Sequence, residues 1–519
     1  MTHSFFPLNK NFFKNFWVSW LLSISIIFLI FLGTVDKGAY LHPDEFVIID
    51  LGKNILNPNV DWSIAWVIEQ QKPAILISYI GATIQEIVFE YFGQFGPRIF
   101  AILGALAAAT ALVKYLLLRG VSIRPTFFLG LIFLLDPLIV QAFTIGRIDG
   151  WVMFLCISCC WVLRSEINFF ASKKSNLNTK FLFAGSLISL AIFTWPSAIF
   201  FFPLIGLELS EQISYEWKNE KRIRVILNIL FLFMFGAVIS IALLVLPFSE
   251  QLFSQWSLIK ETITYNTHAG SSDINGFNTA LENSIELLRV LKFSPFVVLL
   301  AIISLIKFKQ TYLFVAILAV IILMLITVVY INRVQYLVPY FIIGIGLLYN
   351  KDYSKSDPRS LIFSGIYTLL FWSIGLSLIV RSFLAFDGKA ERDRGLLDKA
   401  AFSMVGYGDH KVYIPHEFYY SGRSLNWKMY KIYEAHNDPL NLETWEKILP
   451  NVDFIIVREY SKSFQKSIEN AGLVDRGIYH IYEEPPKPFD GITNNEVRIR
   501  NLYSIFRKPY GPYRLYARE

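Results

Sequence analysis

Two adjacent carboxylates, Asp44 and Glu45, follow His42 and Pro43 about ten residues after the first long apolar run. Pro43 fixes its own φ and pushes His42 toward an extended conformation, so the chain is stiffened where the acids begin. A carboxylate held this way can take a proton from a hydroxyl. The same residues also suit the start of a helix, with Pro at the first position and acids in the first turn, where the macrodipole favours negative charge. Base and cap are both open, and the two are compatible.

His-Pro-Asp-Glu just after a first membrane helix resembles the signature of the mannosyltransferases that build GPI anchors and lipid-linked oligosaccharides. These are members of the GT-C superfamily of integral-membrane glycosyltransferases, which also holds bacterial polyprenyl-phosphate-sugar transferases. The resemblance covers roughly residues 1 to 350 and is specific in the first 100. It implies Asp44 as the catalytic base, with Glu45 orienting the acceptor or sharing the charge, and mannose as the sugar to expect.

Composition agrees with a membrane protein. Apolar residues make up 54% of the chain, charged residues only 17%, and the mean hydropathy is +0.45. The net charge of +7 does not indicate nucleic acid: residues 383 to 519 hold 20 Lys and Arg against 19 Asp and Glu, so the excess lies in the apolar part. Basic loops on the cytoplasmic side explain it. The three cysteines, Cys156, Cys159 and Cys160, sit inside one apolar run with no nearby His, which reads as packing and not as a zinc site.

Apolar runs long enough to span a bilayer lie near 16–33, 98–118, 126–143, 150–164, 181–194, 197–209, 225–247, 293–307, 311–331, 334–350 and 360–382. The run 74–92 carries Glu86 and Glu90 one turn apart. Read as a surface helix, it leaves Lys10, Lys14, Arg119, Arg124, Arg164 and the later basic loops all on the cytoplasmic side. The segment 44–57 fits the same plane, with Val47, Leu51 and Ile55 on one side and Asp50, Lys53, Asn54 and Asn57 on the other. The expected fold is mainly α: a polytopic GT-C-like bundle of about eleven helices over 1–382, with amphipathic interfacial helices in the first outer loop. A small α/β domain over 383–519 follows, with helices at 391–405 and 462–471 and strands at 412–415, 452–458 and 478–482. The amino terminus is expected in the cytoplasm of a plasma or inner membrane, and the carboxyl-terminal domain outside.

An enzyme working outside has no nucleotide sugar, and the chain lacks a glycine-rich phosphate turn. A polyprenyl-phosphate sugar presents an apolar tail, a phosphate and a sugar, so its site needs a groove, cations and a base. Lys72, before Pro73, resembles the Lys-Pro pair associated with donor phosphate in GT-C aminoarabinose and mannosyl transferases; an isolated Lys that merely snorkels to the interface is the plain alternative. Arg333, ahead of Tyr336, Leu337 and Pro339, resembles the opening of a late helix in those enzymes, with Val334 and Gln335 intervening. Arg147 and Asp149 resemble a second acidic position and equally suit a local ion pair. Asp136, before Pro137, needs a partner or water. His268, in the polar loop 265–273, either binds acceptor or phosphate or is a plain surface residue, and His42 is a candidate substrate-binding residue with no companion ligands for a metal. No cofactor is indicated, and a divalent ion is allowed without being called for.

The sequence thus points to an inverting glycosyltransferase that moves a sugar from a polyprenyl-phosphate donor to an extracytoplasmic glycan, lipid or protein acceptor at a lipid bilayer. The rival is a lipid-linked sugar transporter or flippase, which would gather polar groups and broken helices at the midplane.

Overall fold

The computed structural model describes residues 15–33, 35, 43–56, 79–165, 173–254, 256, 276–307, 310–327, 329, 331–349, 369–370, 374, 379, 393–430, 448–458, 465–482 and 510–519. These are mainly helical, with one small sheet. The chain divides into two compact units. The first holds residues 1–35, 98–253 and 263–382, and the second holds 36–97, 254–262 and 383–519.

The first unit is a helical bundle. Among the described residues, two helical stretches are long and apolar enough to cross a membrane: Ile223–Val245, and Tyr79–Leu118, of which residues 79–97 belong to the second unit. Two bent pairs pass the same test together, Ile123–Leu135 with Pro137–Thr144 at 51°, and Ala280–Leu291 with Pro295–Ile306 at 107°. Phe16–Leu32, Thr179–Thr194 and Thr311–Leu325 are shorter and apolar. The expected run 126–143 is therefore divided at Asp136, because Pro137 cannot donate a backbone hydrogen bond and restarts the helix. Most of 360–382 lies outside the described residues.

Helices 173–194 and 223–245 pack backbone to backbone. A Cβ on Gly185 would stand 2.0 Å from the Phe233 carbonyl oxygen, so only glycine permits the contact. Ser189 donates across the gap to the Ala237 carbonyl at 2.9 Å. Small residues and a hydroxyl replace the hydrophobic drive that lipid cannot supply. The other side of helix 223–245 exposes Leu227, Phe231, Met234 and Val238, which suits lipid contact.

Helix 149–164 runs through the bundle core with all three cysteines free and buried, as the packing reading requires. Its far end is tied down by charge. Arg164 donates to Glu208 at 2.7 Å and to Glu211 at 2.9 Å, while Arg119 and the Tyr115 hydroxyl also donate to Glu208. Glu208 is fully buried, and three donors offset the cost of desolvating it.

The second unit is built on a five-stranded mixed sheet in the order β2-β1-β3-β5-β4. The strands are β1 (Lys411–Tyr413), β2 (Lys428–Tyr430), β3 (Phe454–Arg458), β4 (Leu473–Tyr479) and β5 (Tyr513–Arg518). β1 pairs parallel with β2 and β3, and β5 pairs antiparallel with β3 and β4. Alternation fills two cores. Val412, Ile456 and Leu515 face one side with helix Arg394–Met404, and Tyr413, Ile455 and Tyr516 face the other with Ile468. The fourth strand starts five residues earlier than the expected 478–482, and a bulge at Asp475/Gly477 breaks its alternation.

Helix Pro43–Leu56 belongs to this unit. Phe46 and Ile49, three apart, are fully buried with Leu397, Ala401, Phe418 and Tyr419. Each such side chain contributes about 1.5–3 kcal/mol when buried. Gly52 lets the helix touch its neighbour Tyr79–Phe92, since a Cβ there would lie 2.0 Å from the Ala82 oxygen.

Candidate functional site

Pro43 is the first residue of its helix, so Asp44 and Glu45 occupy the first turn. The Asp44 side chain lies outside what the structure describes. Glu45 is 1% exposed and accepts the Tyr420 hydroxyl at 2.9 Å. Its burial follows from helix geometry, because Glu45 lies one turn before Ile49, whose side chain is fully buried in the unit's core.

Asp50 departs from its expected place on the wet side of this helix. It is 4% exposed, and the Tyr419 hydroxyl donates to its Oδ1 at 3.3 Å. Its Oδ2 has no hydrogen-bond partner among the described residues. Loss of water pushes its pKa from 3.8 up to about 7, with Lys53 and Arg423 pulling it down and Glu86 adding to the rise. The amphipathic pattern misassigned Asp50 because the covering surface is polar there: Tyr419, Arg423 and Glu86 close over it.

Glu86 and Glu90 do share a face, and that face meets Arg423. Nη2 of Arg423 lies 2.8 Å from Glu86 and 2.5 Å from Glu90. The Arg423 guanidinium also lies over the Phe89 ring, 4.7 Å from its centroid.

In the first unit the structure brings Arg147 and Asp149 together. Arg147 Nε donates to Asp149 Oδ2 at 2.7 Å, and the Tyr336 hydroxyl donates to Oδ1 at 2.7 Å. All three are buried. Gly146, at φ +71°, makes the turn that puts the arginine beside the first turn of helix Asp149–Arg164. The Trp195 ring stands 5.9 Å from the Arg147 guanidinium. Arg333 lies in the short helix Ile331–Val334, three residues before Tyr336, and is partly buried. Asp136 caps helix Pro137–Thr144 by accepting the Leu138 amide at 2.9 Å, and Ser294, at the second bend, donates to its other oxygen. These two donors satisfy a carboxylate that is buried in the first unit.

His42, Lys72 and His268 lie outside the described residues. Among the described residues no group of three or more His, Cys, Asp or Glu stands together as a metal site. Sequence reasoning named Tyr336 only as part of the motif after Arg333, and missed Tyr419, Tyr420 and Arg423. The only local signal for the last three is the spacing of Tyr419 and Arg423, four apart on helix Tyr419–Ser424.

No protein-family model matches the sequence, and no curated protein matches it. Two solved structures do. Crystal structures of ArnT from Cupriavidus metallidurans, one bound to undecaprenyl phosphate and one in the apo state, match with a TM-score of 0.55. Identity is 12% and 11%, and each match covers 88% of this chain and 96% of ArnT. At the level of the fold, then, the chain is similar to ArnT over most of both chains.

Proposed function

We propose that the chain is an integral-membrane, inverting glycosyltransferase that uses a polyprenyl-phosphate-linked sugar. The observation that carries the reading is the match, over most of both chains, to ArnT bound to undecaprenyl phosphate, in a chain where Pro43, Asp44 and Glu45 of the sequence motif open a helix. Asp44 takes the proton from an acceptor hydroxyl as that oxygen bonds to the anomeric carbon. The bond from that carbon to the phosphate oxygen breaks on the opposite face, and the polyprenyl phosphate leaves with the electron pair. One base suffices, because phosphate departs without the protonation that a glycosidic leaving group needs. Glu45 orients the acceptor, and Lys72, Arg147 and Arg333 are the candidate partners of the donor phosphate.

One observation favours the transporter reading. Two bent helix pairs meet where Ser294 donates to Asp136, and broken helices are common at carrier sites. A single experiment separates the two. The purified chain in vesicles is given a panel of undecaprenyl-phosphate sugars labelled in the sugar, with membranes from a deletion strain as acceptor. Label in a glycan supports the enzyme; label that crosses the bilayer while still on its lipid supports the carrier and sinks the proposal.

A further inference from the structure

Glu45 and Asp50 project from one helix into the same unit, and adjacent tyrosines meet them. Tyr420 donates to Glu45 at 2.9 Å and Tyr419 to Asp50 at 3.3 Å. Tyr420 has little freedom of its own. Its ring stacks on Phe89 with centroids 5.4 Å apart and an interplanar angle of 19°, and the Arg394 guanidinium lies 4.9 Å from its centroid. Tyr419 is held in turn by Phe46, 5.4 Å away, and by Arg423, which donates to its hydroxyl at 3.1 Å. The helix carrying the acidic pair is therefore gripped at two points, more than one turn apart, by residues from the carboxyl-terminal part of the chain.

We propose that Tyr420 is a positioning residue for the acidic motif, fixing Glu45 through its hydroxyl and with it the first turn that carries Asp44. The inference rests on the catalytic reading of that motif. A carboxylate next to the reacting hydroxyl is useful only if it holds one rotamer, since small misplacements cost large factors in rate. A hydroxyl on a clamped ring supplies that restraint.

The test uses full-length variants in vesicles made from the lipid extract of a deletion strain, which holds donor and acceptor, and follows elongation of the truncated glycan by mass spectrometry. Diluting the extract into defined lipid separates the maximal rate from half-saturation, and undecaprenyl phosphate serves as the binding probe. Tyr420→Phe is expected to lower kcat about 10-fold while KM and undecaprenyl phosphate binding stay within 2-fold. In a Glu45→Met background the same change should cost nothing further, because the partner is already gone. A purely structural tyrosine would lower thermal stability equally in both backgrounds and leave kcat of the folded protein alone, which overturns the proposal. Should Tyr420→Phe not fold, p-aminophenylalanine at 420 keeps a donor at the para position and is expected to retain kcat; a folded protein as slow as Glu45→Met overturns it. If Asp44→Asn and Glu45→Gln inactivate while Tyr420→Phe does not, the positioning role falls and the catalytic reading survives. If neither acidic variant loses turnover, the catalytic reading itself falls and takes this inference with it.

Discussion

Arg423 grips Glu86 with two parallel hydrogen bonds, Nη2 to Oε1 at 2.8 Å and Nη1 to Oε2 at 3.2 Å. The side chain of Glu86 is 3% exposed and that of Arg423 is 10% exposed, so the pair has little water to fall back on. Arg423→Ala strands a buried carboxylate and is expected to destabilise the second unit by about 3–5 kcal/mol. Glu90→Gln removes a partner that is 58% exposed, and should cost under about 1 kcal/mol. Thermal unfolding of the two purified variants checks the contrast; equal losses would mean that the bidentate pair is not the stronger restraint.

Asp50 makes the stability of this unit depend on pH. Burial favours its neutral form, raising its pKa from 3.8 unfolded to about 7 folded. The unfolded chain releases the proton first as pH rises. Stability relative to the ionised state is therefore fully present below pH 3.8 and is lost as pH rises through about 7. The effect is at most about 4 kcal/mol. Asp50→Asn should leave stability at pH 3 nearly unchanged, raise it at pH 8, and flatten the curve between. A variant as pH-sensitive as the parent protein would move the titration to another group.

For Asp44 the base and the cap predict opposite results. A positioned base contributes about 10² to 10⁴ in rate, so Asp44→Asn should lower turnover by that order with undecaprenyl phosphate binding intact. Asp44 is the second residue of its helix, so if it only serves the helix start, losing its charge costs about 0.3–1 kcal/mol of stability and no turnover. A folded Asp44→Asn protein with near-normal transfer would leave only the cap.

The buried Arg147–Asp149 pair admits a similar decision. If Arg147 engages donor phosphate, Arg147→Gln should weaken undecaprenyl phosphate binding at least about tenfold, roughly 1.4 kcal/mol. Tyr336→Phe, which removes one donor from Asp149, should weaken binding less. Unchanged affinity with reduced thermal stability would confine Arg147 to the ion pair.

Local pattern made much of the fold legible. The apolar runs that fall on described residues are helical, Pro43 opened the helix expected of it, and the strands near 412 and 454 followed from alternation. The need of Asp136 for a partner was visible in the sequence, whereas 126–143 reads as one run that the structure divides there. The strands 428–430 and 513–518 were not visible, because a three-residue strand carries too little periodicity and the second is paired on both edges by segments distant in sequence. The local pairing of Asp149 with Arg147 was legible, but the tyrosine partners of Glu45, Asp50 and Asp149 were hidden for the same reason. Nothing near position 45 records a tyrosine at position 420, and a carboxylate bound for burial looks on a helical wheel like one bound for water.

Glu45 and Tyr420 are 375 residues apart, which sets an order of events during synthesis. At roughly 5–20 residues per second, roughly 20–75 seconds separate the appearance of helix 43–56 from that of its cover. During that interval Phe46, Ile49 and two carboxylates meant for burial have no partner from the sheet, and the bundle helices in between are made first. The early helix must be sheltered meanwhile, and its amphipathic face suits the bilayer surface as a waiting place. Nascent chains arrested before residue 394 should be cut by protease near 43–56 when membranes are absent and resist when they are present; equal resistance in both would show that the early helix needs no shelter.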